Sequence, residues 1–171
     1  MSAGHLVRRF FGSLVPAGPR RRDAEWVRSV LADGELRLWD RMSRADRRHA
    51  AGVARRVERA LGHEATRPVL AAALLHDVGK LDSGLGTYGR VVATLASSVA
   101  GRGAAHDWSR ARGFTRRGGL YVRHPELGGD MLALAGSDPL TVTWTREHHL
   151  PPEEWTLPSH LANVLKSADD D

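Results

Sequence analysis

From Asp23 onward, apolar side chains recur with the period of an amphipathic α-helix along most of the chain. Such spacing predicts helices that each bury one face in a common core. The clearest stripe has four residues at intervals of four: His49, Val53, Val57 and Leu61. Ser43 precedes this stripe, with Asp46 three residues later as in a capping box, and Gly62 follows it. We therefore predict a helix from Ser43 to Gly62.

Proline and glycine divide the rest of the chain into further predicted helices. These begin near Asp23, Leu36, Thr66, His124, Asp138 and Pro158. The helix that opens at Thr66 is expected to end at Gly79, and residues 91–99 to form a short buried helix. Residues 100–123 contain five glycines and six arginines against one acid, which indicates a basic, mobile loop. No segment has a convincing strand pattern, so the predicted fold class is all-α.

Length and composition indicate one domain with an appendage. The 171 residues suit a single compact domain over 23–171, preceded by a basic N-terminal appendage over 1–22. No apolar run approaches the ~20 residues of a membrane span. Cysteine is absent, so His, Asp or Glu must hold any metal. The lack of cysteine also favours a reducing compartment, and we expect a cytoplasmic protein.

The net charge of +5 belongs to the appendage. This segment contains five arginines and no acidic residue, and outside residues 1–22 the chain has 20 basic and 20 acidic residues. The aromatic and aliphatic residues in this segment predict that it docks on the domain. Contact with a membrane surface is the alternative interpretation.

Histidines and aspartates recur where the predicted helices face the core or end. The series comprises His49, His76, Asp77, His124, His148, His149 and Asp169. His49 and His76 lie on apolar helix faces, and burying an imidazole costs free energy unless its nitrogens find partners. A metal ion is a partner that several imidazoles can share. Mixed imidazole and carboxylate ligands suit Fe, Mn or Zn better than Ca.

The local strings around these residues match a known pattern. They read LLHDVGK at residues 74–80, HPELG at 124–128, EHH at 147–149 and AD at 168–169. Over about residues 43–171 the chain resembles the HD superfamily of metal-dependent phosphohydrolases. The ligand order is that of its two-metal, HD-GYP-like form, and actinobacterial HD proteins look similar through the N-terminal segment as well.

The resemblance implies an HD-domain helical bundle with its metal site between core helices. It implies a minimal site of four ligands: His49, His76, Asp77 and Asp169. It assigns three further ligands to the second metal: His124, His148 and His149. Asp77 would bridge the two metals, and Lys80 matches a lysine that contacts phosphate. A solvated cation at a helix end is the alternative for Lys80.

The chain also departs from the HD-GYP pattern. No GYP triplet lies near His124, and an arginine-rich insertion separates it from Lys80. Position 45, one turn before His49, is alanine, so no carboxylate stands there to recruit a third metal. These departures argue against cleavage of cyclic dinucleotides. Dinucleoside-tetraphosphate hydrolases and small nucleotidases of the superfamily are closer in length.

The sequence thus predicts a phosphohydrolase that cleaves a phosphoester or phosphoanhydride of a nucleotide or another small phosphorylated metabolite. Two ions, Fe, Mn or Zn with Mg as a further candidate, would hold a bridging hydroxide. Arginines of residues 100–123 could neutralise substrate phosphates, although a solvated surface segment is the simpler interpretation for most of them. Two alternatives remain: a nuclease acting on single-stranded nucleic acid, and a metal-stabilised binding module without turnover. The sequence does not predict the oligomeric state.

Overall fold

The structure, a computed structural model, describes residues 17–85, 93 and 107–170. Throughout these ranges the regular elements are helical and no strand occurs, which confirms the all-α prediction. The α-helices are α1 (Arg21–Val30), α2 (Asp33–Arg41), α3 (Arg44–Leu61), α4 (Arg67–Leu75), α5 (Gly113–Val122), α6 (His124–Leu134), α7 (Pro139–Glu147) and α8 (Ser159–Asp170). Short 3-10 helices cover Gly62–Glu64, Val78–Ser83 and Pro152–Glu154.

Helix α4 is the centre of the bundle. Every residue from Val69 to Leu75 is buried, because α1, α2, α3, α7 and α8 all pack around this helix. A helix that is apolar on all sides can be stable only in such a position. It ends at Leu75 and not at Gly79 as predicted, since the chain tightens at Asp77 into the 3-10 helix Val78–Ser83.

Helix α3 follows its predicted bounds. The Ser43 hydroxyl accepts a hydrogen bond from the Asp46 backbone N–H, and Gly62 takes a left-handed φ of 55° after the last turn. The capping box is incomplete, because the Asp46 carboxylate accepts from the Ser43 hydroxyl at 2.7 Å. Helix α3 packs against α4 and α8, which brings His49 to the last turn of α8.

The predicted loop over residues 100–123 is wrong where the structure describes it. Residues 107–110 are helical, and α5 occupies Gly113–Val122. Glycine disfavours a helix, but Gly118 and Gly119 are buried and α5 packs on the 3-10 helix Val78–Ser83, so tertiary packing offsets the cost. Residues 100–106 lie outside the described residues, as does the predicted helix over 91–99 except for Ala93, which is helical and buried.

Glycines set how closely the helices around the site approach. A Cβ on Gly79 would lie 2.0 Å from the His124 carbonyl oxygen and 2.6 Å from the Gly128 nitrogen. The 3-10 helix therefore lies directly against α6, which a side chain at position 79 would prevent.

The first helix begins at Arg21, just inside the predicted appendage, and residues 1–16 lie outside the described residues. Within the described ranges, no helix has the length and apolarity to cross a membrane.

Candidate metal centre

The ends of several helices converge on one site. His76 and Asp77 follow α4, His124 begins α6, His148 and His149 follow α7, and Asp169 lies in the last turn of α8. His49 enters from the second turn of α3. All seven predicted ligands thus lie together, although they are up to 120 positions apart in sequence.

The ligand atoms form two groups that share Asp77. One group joins Asp77 with three histidines: His124, His148 and His149. The other joins Asp77 with His49 and His76. Within each group the potential ligand atoms lie no more than 4.8 Å apart, a spacing at which one ion could contact all of them. Asp169 adjoins the second group, with its Oδ1 3.0 Å from His49 Nε2 and 3.4 Å from His76 Nε2.

Asp77 uses its two carboxylate oxygens in different directions. Its Oδ1 lies 3.3 Å from His124 Nε2 and 3.8 Å from His148 Nε2. Its Oδ2 lies 3.5 Å from His76 Nε2 and also accepts from the ammonium of Lys80. Asp77 is therefore the residue on which both ligand groups depend.

Three of the histidines have their ring orientation fixed by the backbone. His76, His124 and His148 each pair Nδ1 with the carbonyl oxygen three residues earlier, at 3.0, 2.7 and 2.9 Å. A carbonyl can only accept, so Nδ1 must carry the proton in each pair. In the neutral ring this leaves Nε2 as the nitrogen with a free lone pair.

Those three Nε2 atoms are buried and have no hydrogen-bond partner. Buried polar atoms are nearly always satisfied, so three orphans facing one carboxylate require an explanation. A metal ion supplies it, because metal-binding histidines usually donate the other ring N–H to a carbonyl or carboxylate. The donor set of imidazole nitrogens and carboxylate oxygens therefore fits a metal site.

The carboxylate at the centre is held in its charged form. Burial opposes ionisation of Asp77, but Lys80 and His76 outweigh it and hold its pKa well below the usual value. Burial likewise opposes protonation of His76, but Asp77 and Asp169 outweigh it and raise its pKa to about 10. In the absence of metal, the positive charges of His76 and Lys80 thus balance the negative charges of Asp77 and Asp169.

The histidines of the first ligand group are kept neutral. Burial, with repulsion from His149, holds the pKa of His148 well below its usual value. Burial also lowers the pKa of His124, an effect that Asp77 only partly offsets. His149 is exposed at the rim, yet packing and the neighbouring His124 lower its pKa to about 3. A neutral imidazole is the form that binds a metal.

Lys80 is not a solvated cation at a helix end. Its side chain is only 12% exposed, its ammonium pairs with Asp77, and it lies 5.9 Å from the centre of the Tyr121 ring. Burial opposes its charge, but Asp77 outweighs burial and raises its pKa. The ammonium is a fixed positive charge beside the ligands.

Glu147 holds the end of α7 that carries His148 and His149. Its buried carboxylate accepts from the Thr156 backbone N–H at 2.9 Å and from the Thr156 hydroxyl at 2.6 Å. Its carbonyl accepts from the Trp155 indole at 3.1 Å. The segment after α7 is thereby tied to the histidine pair and restricts its position.

A crevice of about 230 Å³ adjoins Asp77 and Lys80 and is also lined by Asp46 and Arg41. The sequence pattern did not identify these last two residues as part of the site. Position 45 is alanine, but Asp46 stands three residues before His49, a spacing that also shares a helix face. That spacing was the available signal for Asp46. For Arg41, which lies on a different helix, there was none.

The arginines of the predicted loop lie elsewhere. Four of them are exposed: Arg110, Arg112, Arg116 and Arg117. None lines the crevice, and Arg123 pairs with Glu126 at 2.8 Å. Their arrangement agrees with a solvated surface and gives no support to phosphate binding. Arg102 lies outside the described residues.

Comparison of the chain with protein-family models, with curated proteins and with solved structures gives no match. The described residues form an all-helical bundle with a largely buried cluster of histidines and aspartates that could hold a metal ion.

Proposed function

We propose that the protein is a metal-dependent phosphohydrolase that uses two ions at the His/Asp cluster. The observation that carries this proposal is the shared position of Asp77, which belongs to both ligand groups. Three buried, orphaned Nε2 atoms surround it. Seven candidate ligands exceed what one four-coordinate ion uses, and a carboxylate between two groups is suited to bridge a pair.

The nitrogen and oxygen donors favour Fe, Mn or Zn, with Mg as a weaker candidate. Two such ions, when bound, supply Lewis acidity toward a phosphoryl oxygen and lower the pKa of water, so no side-chain nucleophile is required. His49, His76 and Asp169 would hold one ion, and the histidines at 124, 148 and 149 the other. Asp77 would contact both.

In the proposed reaction, Lys80 contacts the phosphoryl group of the substrate. Its ammonium lies at the boundary between the ligand cluster and the crevice. A metal held by Asp77 would offset the charge of this carboxylate, and the Lys80 ammonium would then be able to pair with an oxygen of the substrate phosphoryl group. A fixed cation there would stabilise the charge that develops as water adds to phosphorus and the leaving oxygen departs.

The size of the crevice favours a small substrate. Its volume of about 230 Å³ falls below the ~300–1,000 Å³ of pockets that enclose drug-sized ligands. A nucleotide or another small phosphorylated metabolite fits this scale better than a nucleic-acid strand. The exposed arginines of α5 do not lead into the crevice, so no observation favours the nuclease alternative.

The test is hydrolysis of a phosphoester and nucleotide panel by protein loaded with Mn²⁺, Fe²⁺ or Zn²⁺. We expect release of phosphate or of a phosphorylated product, and a loss of about 100-fold or more in Asp77→Asn. Asp82→Asn is the matched control, because Asp82 is an exposed aspartate in the 3-10 helix that follows Asp77. Wild-type activity in Asp77→Asn would refute the metal mechanism. No turnover by metal-saturated wild type on any substrate would instead support a binding module.

A further inference from the structure

The crevice beside the ligand cluster has a mixed lining. Asp77 belongs to the candidate metal site and pairs with Lys80, and Arg41 contributes a second cation from the end of α2. Met42, Leu81 and Leu85 add apolar surface. A ligand bound there could meet two cations and apolar side chains.

Arg41 differs from the other charged residues of the crevice. Lys80 is paired with Asp77, and Asp46 accepts a hydrogen bond from the Ser43 hydroxyl. Asp40, next to Arg41 in α2, pairs with Arg47 at 3.6 Å. In the part of the chain that the structure describes, Arg41 has no hydrogen bond or ion pair, and its side chain is exposed. Its guanidinium is therefore available to an incoming anion.

We propose that Arg41 binds a second anionic group of the substrate while the phosphoryl group occupies the metal site. This inference rests on the proposed function and narrows its substrate class to small phosphoesters with an anion at each end. Guanidinium suits the second position because it can form two parallel hydrogen bonds with a carboxylate or phosphate.

The volume limits what can separate the two anionic ends. About 230 Å³ accommodates one small organic group, which would lie against Met42 and Leu81. The substrate class is therefore a compact bis-anionic metabolite, such as a bisphosphate or a phosphorylated carboxylic acid. These two share their anionic chemistry, and the experiment below distinguishes them.

Uncleavable ligands test the proposal without requiring turnover. The full-length protein, saturated with Mn²⁺, is titrated calorimetrically with butylphosphonate, 4-phosphonobutyrate and butane-1,4-diphosphonate. The first has one anionic end and is the reference, while the others add a carboxylate or a second phosphonate. We expect at least one of these two to bind about tenfold more tightly than the reference, as one charge-assisted contact near the surface allows. The tighter of the two identifies the second group.

Two variants test whether Arg41 causes the tighter binding of the ligands that have two anionic groups. Arg41→Gln should reduce it to about twofold or less, because the added anion loses its guanidinium. Arg37→Gln is the matched control: Arg37 is an exposed arginine one turn earlier in α2, outside the crevice, and its variant should keep the full advantage. The proposal is overturned if wild type binds neither 4-phosphonobutyrate nor butane-1,4-diphosphonate more tightly than butylphosphonate. It is also overturned if Arg41→Gln keeps the tighter binding of wild type. Failure of the proposed hydrolase function would appear separately, as absence of turnover in the phosphoester panel.

Discussion

At the scale of single residues, a backbone carbonyl fixes which ring nitrogen holds the first proton in three of the cluster histidines. The carbonyl three residues earlier accepts a hydrogen bond from Nδ1 of His76, His124 and His148. His124 and His148 stay neutral, so their Nε2 lone pairs face Asp77 across 3.3 and 3.8 Å without a donor between them, whereas His76 carries a second proton in the metal-free protein. This arrangement is costly in a metal-free protein and favourable in a metal-loaded one.

Replacing Lys80 separates metal binding from phosphate binding. Lys80→Gln should keep the full metal content, since no ligand is lost, and reduce kcat/KM by about 100-fold through loss of a cation at the phosphoryl group. Lys166→Gln is the matched control because Lys166 is the only other lysine and pairs with Asp170 on α8 at 2.8 Å. Metal analysis and kinetics of both variants decide the question. Unchanged kcat/KM in Lys80→Gln would leave Lys80 a purely structural partner of Asp77.

The sequence pattern predicted the residues of the His/Asp cluster but not the crevice. The order of histidines and aspartates is readable because each lies at a helix end or on an apolar face. Arg41 is not readable in this way, because its relation to Lys80 depends on how α2 packs beside the 3-10 helix. The direction of each Nε2 is likewise set by a local backbone carbonyl that the sequence does not reveal.

At the scale of elements, helical periodicity predicted both ends of α3, and the starts of α6, α7 and α8, close to where the structure has them. It was wrong for α5, because Gly118 and Gly119 indicate a loop when their neighbours are unknown. It also extended α4 too far, since the change to a 3-10 helix after Asp77 leaves no mark in the hydrophobic pattern. Tertiary contacts decided both cases.

The close approach of the 3-10 helix to α6 can be tested at Gly79. A Cβ there would meet backbone atoms at 2.0 and 2.6 Å, which cannot move aside as a flexible side chain would. Gly79→Ala should therefore destabilise the protein by about 2 kcal/mol or more and lower Tm by about 5 °C or more. Calorimetric melting measures the change.

The matched control is Gly52→Ala on α3, where the nearest atom, Arg56 Nη1, is 3.5 Å from the new Cβ and belongs to a flexible side chain. This change should raise stability by about 0.5–1 kcal/mol, because alanine favours a helix. Equal melting temperatures for Gly79→Ala and wild type would contradict the contact described here.

At the scale of the whole molecule, the pKa shifts of the site couple folding to pH. His124, His148 and His149 have pKa values lowered from 6.5. Below that pH, these histidines therefore bind more protons in the unfolded chain than in the folded protein. Stability then falls as pH decreases. His76, with a pKa raised to about 10, retains a proton that the unfolded chain loses above 6.5. Stability therefore also falls as pH rises from 6.5 toward 10.

Metal-free protein should consequently have its highest Tm near neutral pH, with a decline on both sides. His149→Asn should make the acid-side decline shallower, by an amount that solvent screening keeps modest because His149 is exposed. His63→Asn, at an exposed histidine outside the cluster, should follow wild type. Melting curves across the pH range provide the measurement. A Tm that kept rising well above neutral pH would contradict the charge balance assigned to His76.

The central claim is that the His/Asp cluster binds two metal ions bridged by Asp77, and metal stoichiometry tests it most directly. Metal-stripped protein is equilibrated separately with Mn²⁺, Fe²⁺ and Zn²⁺, freed of excess, and analysed for bound metal per chain. We predict more than one equivalent, approaching two, for wild type and for Asp82→Asn, and one or less for Asp77→Asn. One equivalent or less in wild type with every metal would contradict the claim and leave a mononuclear site at His49, His76, Asp77 and Asp169.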